Sequence, residues 1–163
     1  MKTSLLMNFK VDKENKKIMV EREFSAPVNL VWNAWTDSNM LDRWWAPKPW
    51  KAKTKTMDFR DGGRWIYAMV GPDGDEQWAR ADFSNIIAEK QFSTDDAFCD
   101  SNGVIDYSFP RAKWNLRFDD RGDSTLVQID INYDNIADLE KYMDLGFRDG
   151  FTAAMENLDE IFR

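Results

Sequence analysis

The most regular hydrophobic pattern in the chain lies at its C-terminal end, in residues 135–162. Apolar residues recur there at steps of three and four, which places them on one side of a helix. They are Ile136, Leu139, Met143, Phe147, Phe151, Ala154, Leu158 and Ile161. Asn135 is suited to cap the first turn, and no proline interrupts the span. The pattern predicts one long helix whose apolar face packs against a broad surface.

Two glycines interrupt this helical pattern. Gly150 falls near the middle of the apolar face and Gly146 at its edge. Glycine costs about 1 kcal/mol relative to alanine in a helix interior, so a physical reason is expected for each. Either the helix backbone approaches a strand closely, or the missing side chains leave a cavity for a ligand. The sequence leaves both explanations open.

The N-terminal part combines strands with short helices. Residues 5–11 and 17–24 have strand-like patterns, which predict a hairpin or one extended first strand. Two short helices should follow this first strand region. The first opens at Ser25-Ala26-Pro27, and the second is capped by Asp37 or Ser38.

From residue 50 to residue 133 the periodicity changes from helical to alternating, which is typical of strands. Turn sequences separate the segments, the clearest being Gly71-Pro72-Asp73-Gly74. The predicted strands lie at about 51–59, 64–70, 77–87, 91–98, 114–118 and 126–133. A curved antiparallel sheet must cover one face, and only the C-terminal helix is large enough to do so. We therefore predict an α+β fold, with a sheet of six to seven strands wrapped around one long helix.

Composition narrows the class of protein. At 163 residues with 43% hydrophobic residues, the chain is expected to form one domain, 1–163. Its net charge of −7 disfavours nucleic acid and anionic membranes as partners. No apolar run approaches the roughly 20 residues of a membrane span. The N-terminus lacks the features of a signal peptide. A cytoplasmic location is the expectation.

The absence of histidine excludes much catalytic chemistry. Without it the chain cannot build a Ser-His-Asp or Cys-His site, nor a histidine-ligated metal site. Cys99 is the single cysteine, so neither an internal disulfide nor a thiolate zinc cluster is possible. The acidic clusters lack the ordered spacing of a calcium loop. We therefore predict no metal and no cofactor.

Several short motifs resemble those of one known family. They are Ala26-Pro27, Val31-Trp32, Ala34-Trp35-Thr36, Leu41, Trp44-Trp45, Pro47, Gly62-Gly63-Arg64-Trp65, Gly71-Pro72-Asp73-Gly74, Gly146-Phe147, Gly150-Phe151 and Leu158. Together they resemble the family named after the activator of the heat shock protein 90 ATPase, within the START-like, or helix-grip, superfamily that includes polyketide cyclases and the birch pollen allergen. The resemblance spans about residues 18–162. It implies a helix-grip fold with a cavity between sheet and C-terminal helix, and no catalytic set shared across the family.

The cavity leads to the first functional hypothesis, which is non-enzymatic binding of a small apolar ligand, aromatic or lipid-like. Such pockets are mostly apolar with a few placed polar groups. Arg64 and Arg80 are candidate polar anchors. The candidate lining residues are Arg64, Trp65, Tyr67, Trp78, Arg80, Phe92, Trp114, Met143, Phe147, Gly150 and Phe151.

Two alternatives remain open. The resemblance implies a co-chaperone-like module that binds a heat shock protein 90 type ATPase, which would connect the chain with the stress response. The superfamily also contains cyclase and dehydratase enzymes, for which Glu140 and Tyr67 are the only acid–base candidates. Nothing in the sequence decides between a monomer and a dimer.

Overall fold

A computed structural model describes residues 5–163, and its strands form one antiparallel sheet flanked by helices. The strands are β1 (Met7–Asp12), β2 (Lys17–Phe24), β3 (Lys51–Met57), β4 (Arg64–Val70), β5 (Glu76–Ile87), β6 (Gln91–Phe98), β7 (Ala112–Asp120) and β8 (Thr125–Asn132). The helices are α1 (Val28–Thr36), α2 (Ser38–Trp44), α3 (Ile136–Asp144) and α4 (Phe147–Ile161). The predicted α+β class with a large antiparallel sheet is confirmed.

The prediction of six to seven strands is wrong, because the described part of the chain has eight. Their order across the sheet is β1-β2-β8-β7-β6-β5-β4-β3. The additional strand is β1, which pairs with β2 from Met7↔Arg22 to Asp12↔Lys17. The Asp12 carboxylate accepts hydrogen bonds from the backbone N–H and the side chain of Asn15, at 3.1 and 2.8 Å. This turn makes the N-terminal segments a hairpin, so that β1 and β3 form the two edges.

The single long C-terminal helix is also a wrong prediction, because the chain breaks between α3 and α4. Gly146 has a φ of 86°, in the left-handed region that favours glycine, and it caps the start of α4. Leu145, just before it, is 49% exposed. The start of the helical region is as predicted, since the Asn135 side chain accepts from the backbone N–H of Asp138 at 2.8 Å. Gly146 therefore redirects the chain instead of relieving a close contact.

The core lies between the sheet and helices α1, α2 and α4. Trp44 is fully buried, and its indole N–H donates to the carbonyl oxygen of Ala34 at 2.8 Å. Four buried side chains anchor α4, namely Phe151, Ala154, Met155 and Leu158. Near its end, Asp159 forms an ion pair with Arg22 of β2. None of the helices within residues 5–163 has both the length and the apolar character needed to cross a membrane.

Candidate functional site

A cavity of about 400 Å³ lies between strands β4 to β7 and the junction of α3 with α4. Its volume falls within the range of roughly 300–1,000 Å³ that is typical of small-molecule sites. The loop after α2 completes the wall through Pro47 and Trp50. Most of the larger lining side chains are aromatic: Trp45, Trp50, Tyr67, Phe98, Trp114, Tyr142, Phe147 and Phe151. The cavity is thus a mainly apolar chamber under the C-terminal helices.

Gly150 lies in the wall of this cavity, in the first turns of α4. A Cβ atom placed on it would meet only Cγ of Pro47, at 3.8 Å, which is an ordinary van der Waals contact. The explanation that the helix backbone approaches a strand at Gly150 is therefore wrong. The missing side chain leaves free space that belongs to the cavity.

Aromatic contacts hold the walls of the cavity together. The Phe147 and Phe151 rings stack with centroids 5.2 Å apart, and the Phe151 and Trp114 centroids are 5.4 Å apart. The indole N–H of Trp45 donates to the Tyr67 hydroxyl at 2.9 Å. Each of these five rings contacts at least one other, so this part of the wall is formed before a ligand arrives.

The principal unsatisfied polar group in the wall is Asp96 of β6. It pairs with Ala81 in the ladder and therefore points to the inner side of the sheet, like Trp65, the other partner of Ala81. Its Oδ1 atom is buried and has no hydrogen-bond partner. Burial is the main cause that raises the pKa of Asp96 from 3.8 to about 7. Repulsion by Asp95 and Asp82 adds to this, while the Thr94 hydroxyl opposes it.

Asp96 should make the stability of the protein depend on pH. Because its folded-state pKa of about 7 lies above the ordinary 3.8, the folded protein holds the proton more tightly than the unfolded chain. The free energy of unfolding should therefore fall as the pH rises from about 4 to about 7, because Asp96 ionises more easily in the unfolded chain. Above about pH 7 this loss is complete. We expect Asp96→Asn to raise the free energy of unfolding at pH 8 by the order of 2 kcal/mol, and by much less at pH 4.5.

Urea denaturation of the wild type and the variant at the two pH values measures this difference. Asp123→Asn, in the exposed turn between β7 and β8, is the control and should change both values equally. A stability difference for Asp96→Asn that is the same at pH 4.5 and pH 8 would contradict the assignment.

The tyrosine hydroxyls near the cavity are neutral at physiological pH. Burial raises the pKa values of Tyr67, Tyr133 and Tyr142 above the ordinary 10, and the negative charge of Asp96 raises each further. The indole N–H of Trp114 is buried without a partner. Buried polar groups are normally hydrogen-bonded, so an orphaned acceptor and an orphaned donor in one wall indicate room for a polar partner.

The structure brings six of the predicted residues together in the cavity wall: Tyr67, Arg80, Trp114, Phe147, Gly150 and Phe151. Trp65 and Phe92 instead line a void of about 30 Å³ that shares a wall with the main cavity. Arg64, Trp78 and Met143 border neither space. Trp78 pairs with Ala68, on the outer side of the sheet, and Met143 packs against the core.

Neither arginine is a free polar anchor, which corrects the prediction. Arg80 pairs with Ile66 in the ladder, on the outer side of the sheet, although it also borders the cavity. Its guanidinium donates to Asp82 at 2.7 Å and to the carbonyl oxygen of Gly103 at 2.6 Å. Arg64 lies 3.5 Å from the same Asp82 carboxylate. Asp82 thus engages both guanidinium groups away from the chamber.

The acid–base candidate Glu140 lies away from the cavity. Its side chain is 52% exposed and lies 3.7 Å from the Lys13 ammonium. Within residues 5–163 no group of three or more histidine, cysteine, aspartate or glutamate side chains could hold a metal ion. The site therefore offers binding surface and one buried carboxyl group.

The sequence reasoning missed Asp96, Trp45 and Tyr142. A signal for Asp96 exists in β6, where it is in phase with Phe92, Thr94 and Phe98 on the inner side. Trp45 belongs to the Trp44-Trp45 motif of the family resemblance, which by itself indicates no place in a cavity wall. Tyr142 reaches the cavity because the chain turns at Gly146, which the pattern of a continuous helix concealed.

The sequence pattern of the family described as Activator of Hsp90 ATPase homolog 1-like protein matches residues 25–163. The chain belongs to this family. The sequence-based resemblance to this family is thereby confirmed. A search of curated proteins finds no match.

Solved structures of proteins from several bacteria share the fold of this chain. A solution structure from Arthrobacter aurescens is 28% identical, with a TM-score of 0.89, and the match covers 95% of this chain and 90% of that one. A crystal structure from Mycobacterium smegmatis is 24% identical, with a TM-score of 0.89 and coverage of 98% of both chains. A solution structure from Staphylococcus epidermidis is 24% identical, with a TM-score of 0.83 and coverage of 96% and 93%.

Proposed function

We propose that the protein binds a small apolar molecule, aromatic or lipid-like, in the cavity under α4 and does not transform it. The observation that carries this proposal is the gap at Gly150, which opens into a chamber of about 400 Å³ with aromatic walls. A helix that only packed on the sheet would fill that space with a side chain, since close packing is the rule in protein interiors.

The polar atoms of the wall add a requirement on the ligand. The Oδ1 atom of Asp96 needs a hydrogen-bond donor, and the indole N–H of Trp114 needs an acceptor. A ligand that supplies neither would leave both groups unsatisfied at a cost of about 1–3 kcal/mol each. We therefore expect an apolar body that carries at least one polar group.

Titration with N-phenyl-1-naphthylamine, a neutral dye whose fluorescence rises in apolar surroundings, tests the proposal. We expect saturable binding of one dye per chain with a Kd of about 10 μM or tighter. The dye has an N–H group that can donate to Asp96. A weak fluorescence rise that never saturates would contradict the proposal, because it indicates adsorption to the protein surface.

A second candidate function rests on the family match. The family description names an activator of the Hsp90 ATPase, so a co-chaperone role in the stress response of the cytoplasm is the alternative. Its test is the ATPase rate of a purified heat shock protein 90 with and without this protein. A rate that rises severalfold supports the role, whereas no change and no complex at micromolar concentrations excludes it.

A further inference from the structure

The charge of the cavity wall is defined by one carboxyl group. Among the lining residues of the described chain, Arg80 carries the only positive charge, and its guanidinium is held by Asp82 and Gly103. Asp96 therefore has no cationic partner in the wall, and its Oδ1 atom accepts no hydrogen bond. A buried carboxylate is costly unless it is paired, so an ionised Asp96 would be stabilised by a positive charge that the ligand supplies.

The aromatic rings around the chamber also favour a cationic group on the ligand. Trp45, Tyr67, Trp114, Phe147 and Phe151 all contribute to the wall that contains Asp96. The faces of aromatic rings attract cations, most strongly where water is excluded. The net charge of −7 also draws cations towards the protein and repels anions.

We infer that the ligand of this cavity is an amphipathic amine, with an apolar body among the aromatic rings and a protonated amino group that donates a hydrogen bond to Asp96. This inference rests on the proposed function and names the chemical class of the ligand. No covalent step is involved, because the ligand enters and leaves unchanged.

Three kinds of polar group could face Asp96, and the structure distinguishes them. A carboxylate on the ligand would lie against the Asp96 carboxyl, and like charges repel. A hydroxyl would satisfy the orphaned oxygen but leave the charge unbalanced. An ammonium satisfies the oxygen and neutralises the charge, and a charge-assisted hydrogen bond is roughly twice as strong as a neutral one.

Binding of an amine should therefore depend on pH through Asp96. The groups that face it are the neutral hydroxyls of Tyr67 on β4, Tyr133 after β8 and Tyr142 on α3. The carboxylates of Asp95 and Asp82 add negative charge from the sheet. Because the pKa of Asp96 is about 7, the affinity for an amine should fall about tenfold for each pH unit below that value.

Three matched naphthalene compounds test the inference by calorimetric titration at pH 8: 1-naphthylmethylamine, 1-naphthalenemethanol and 1-naphthoic acid. They share one ring system and differ in the charge of the polar group. We expect the amine to bind the wild type at least about tenfold more tightly than the alcohol, and the acid to bind most weakly. In Asp96→Asn the preference for the amine over the alcohol should disappear.

Asp95→Asn is the matched control, because Asp95 is the adjacent residue in β6 but lies on the outer side of the sheet and is exposed. It should keep the preference for the amine. Thermal melting of each variant shows that it is folded. An alcohol or acid that binds the wild type as tightly as the amine would overturn the inference, and so would an amine preference that survives in Asp96→Asn.

The outcomes separate this inference from the proposed function. If the alcohol and N-phenyl-1-naphthylamine bind while the amine has no advantage, the cavity binds apolar molecules and the amine assignment is wrong. If none of the naphthalene compounds binds and the dye fluorescence does not saturate, the proposed function itself is wrong, and so is the amine assignment that rests on it.

Discussion

Replacing Gly150 by leucine should weaken the binding of N-phenyl-1-naphthylamine about a hundredfold, or by about 3 kcal/mol. The leucine side chain would start 3.8 Å from Pro47 and extend into the chamber, where it takes the place of part of the ligand. No backbone atom of a strand lies within reach of the new Cβ, so the helix itself is not displaced. The measurement is the dye titration of the variant.

A graded series makes this result interpretable. Gly150→Ala adds only the Cβ, so it should retain most of the binding and stabilise the protein by up to about 1 kcal/mol. Glu156→Leu places the same leucine on the exposed side of α4 and should bind like the wild type. If Gly150→Ala unfolds the protein, or Gly150→Leu binds normally, then Gly150 does not border the ligand site.

Replacing Arg22 by methionine should lower the free energy of unfolding by about 3 kcal/mol. Arg22 is only 8% exposed, and it forms an ion pair with Asp159 that connects β2 to the end of α4. Burial raises the pKa of Asp159 even with Arg22 opposite, so losing the guanidinium leaves a half-buried carboxyl group without its partner. Urea denaturation of the two proteins at neutral pH measures the loss.

Two further variants separate the ion pair from a general effect of lost charge. Arg60→Met removes an exposed arginine that pairs with Asp58, and it should cost less than about 1 kcal/mol. Asp159→Leu added to Arg22→Met removes both charges and should recover much of the stability. Equal losses for Arg22→Met and Arg60→Met would show that the pair does not hold α4 to the sheet.

Strand positions were predictable because one face of each strand packs on the core. In β2, Ile18, Val20 and Phe24 share one face of the strand, and all three are buried. The same pattern contains Arg22, which shares their face and is buried through its ion pair. Alternation reports which side a residue faces, but it does not report the partner that makes a buried charge tolerable.

The break in the C-terminal helix was hidden from the sequence by its periodicity. The apolar stripe continues through α3 and α4, so the spacing alone indicated one helix. The exposed Leu145 and the left-handed Gly146 end the first helix. A glycine inside an apolar stripe that continues beyond it is compatible with one continuous helix and with two helices. The choice depends on how the two helices pack on the sheet, which is tertiary information.

The cavity wall was only partly predictable, because its lining also depends on tertiary structure. Gly150, Phe147 and Phe151 follow from the helical face, and Tyr67 and Trp114 from alternation in the strands. Neither Arg64 nor Arg80 is a free polar anchor, because Asp82 binds both guanidinium groups on the outer face of the sheet. Which face of a curved sheet encloses a space is decided by its twist and by the elements that cover it.

The most direct test of the ligand site is a crystal structure of the protein with N-phenyl-1-naphthylamine. We expect the naphthyl ring under α4, about 4 Å from the Gly150 backbone and between Trp45 and Phe151, with the N–H directed at Asp96. A dye molecule on the outer face of the sheet, with the chamber closed by rearranged side chains, would contradict it.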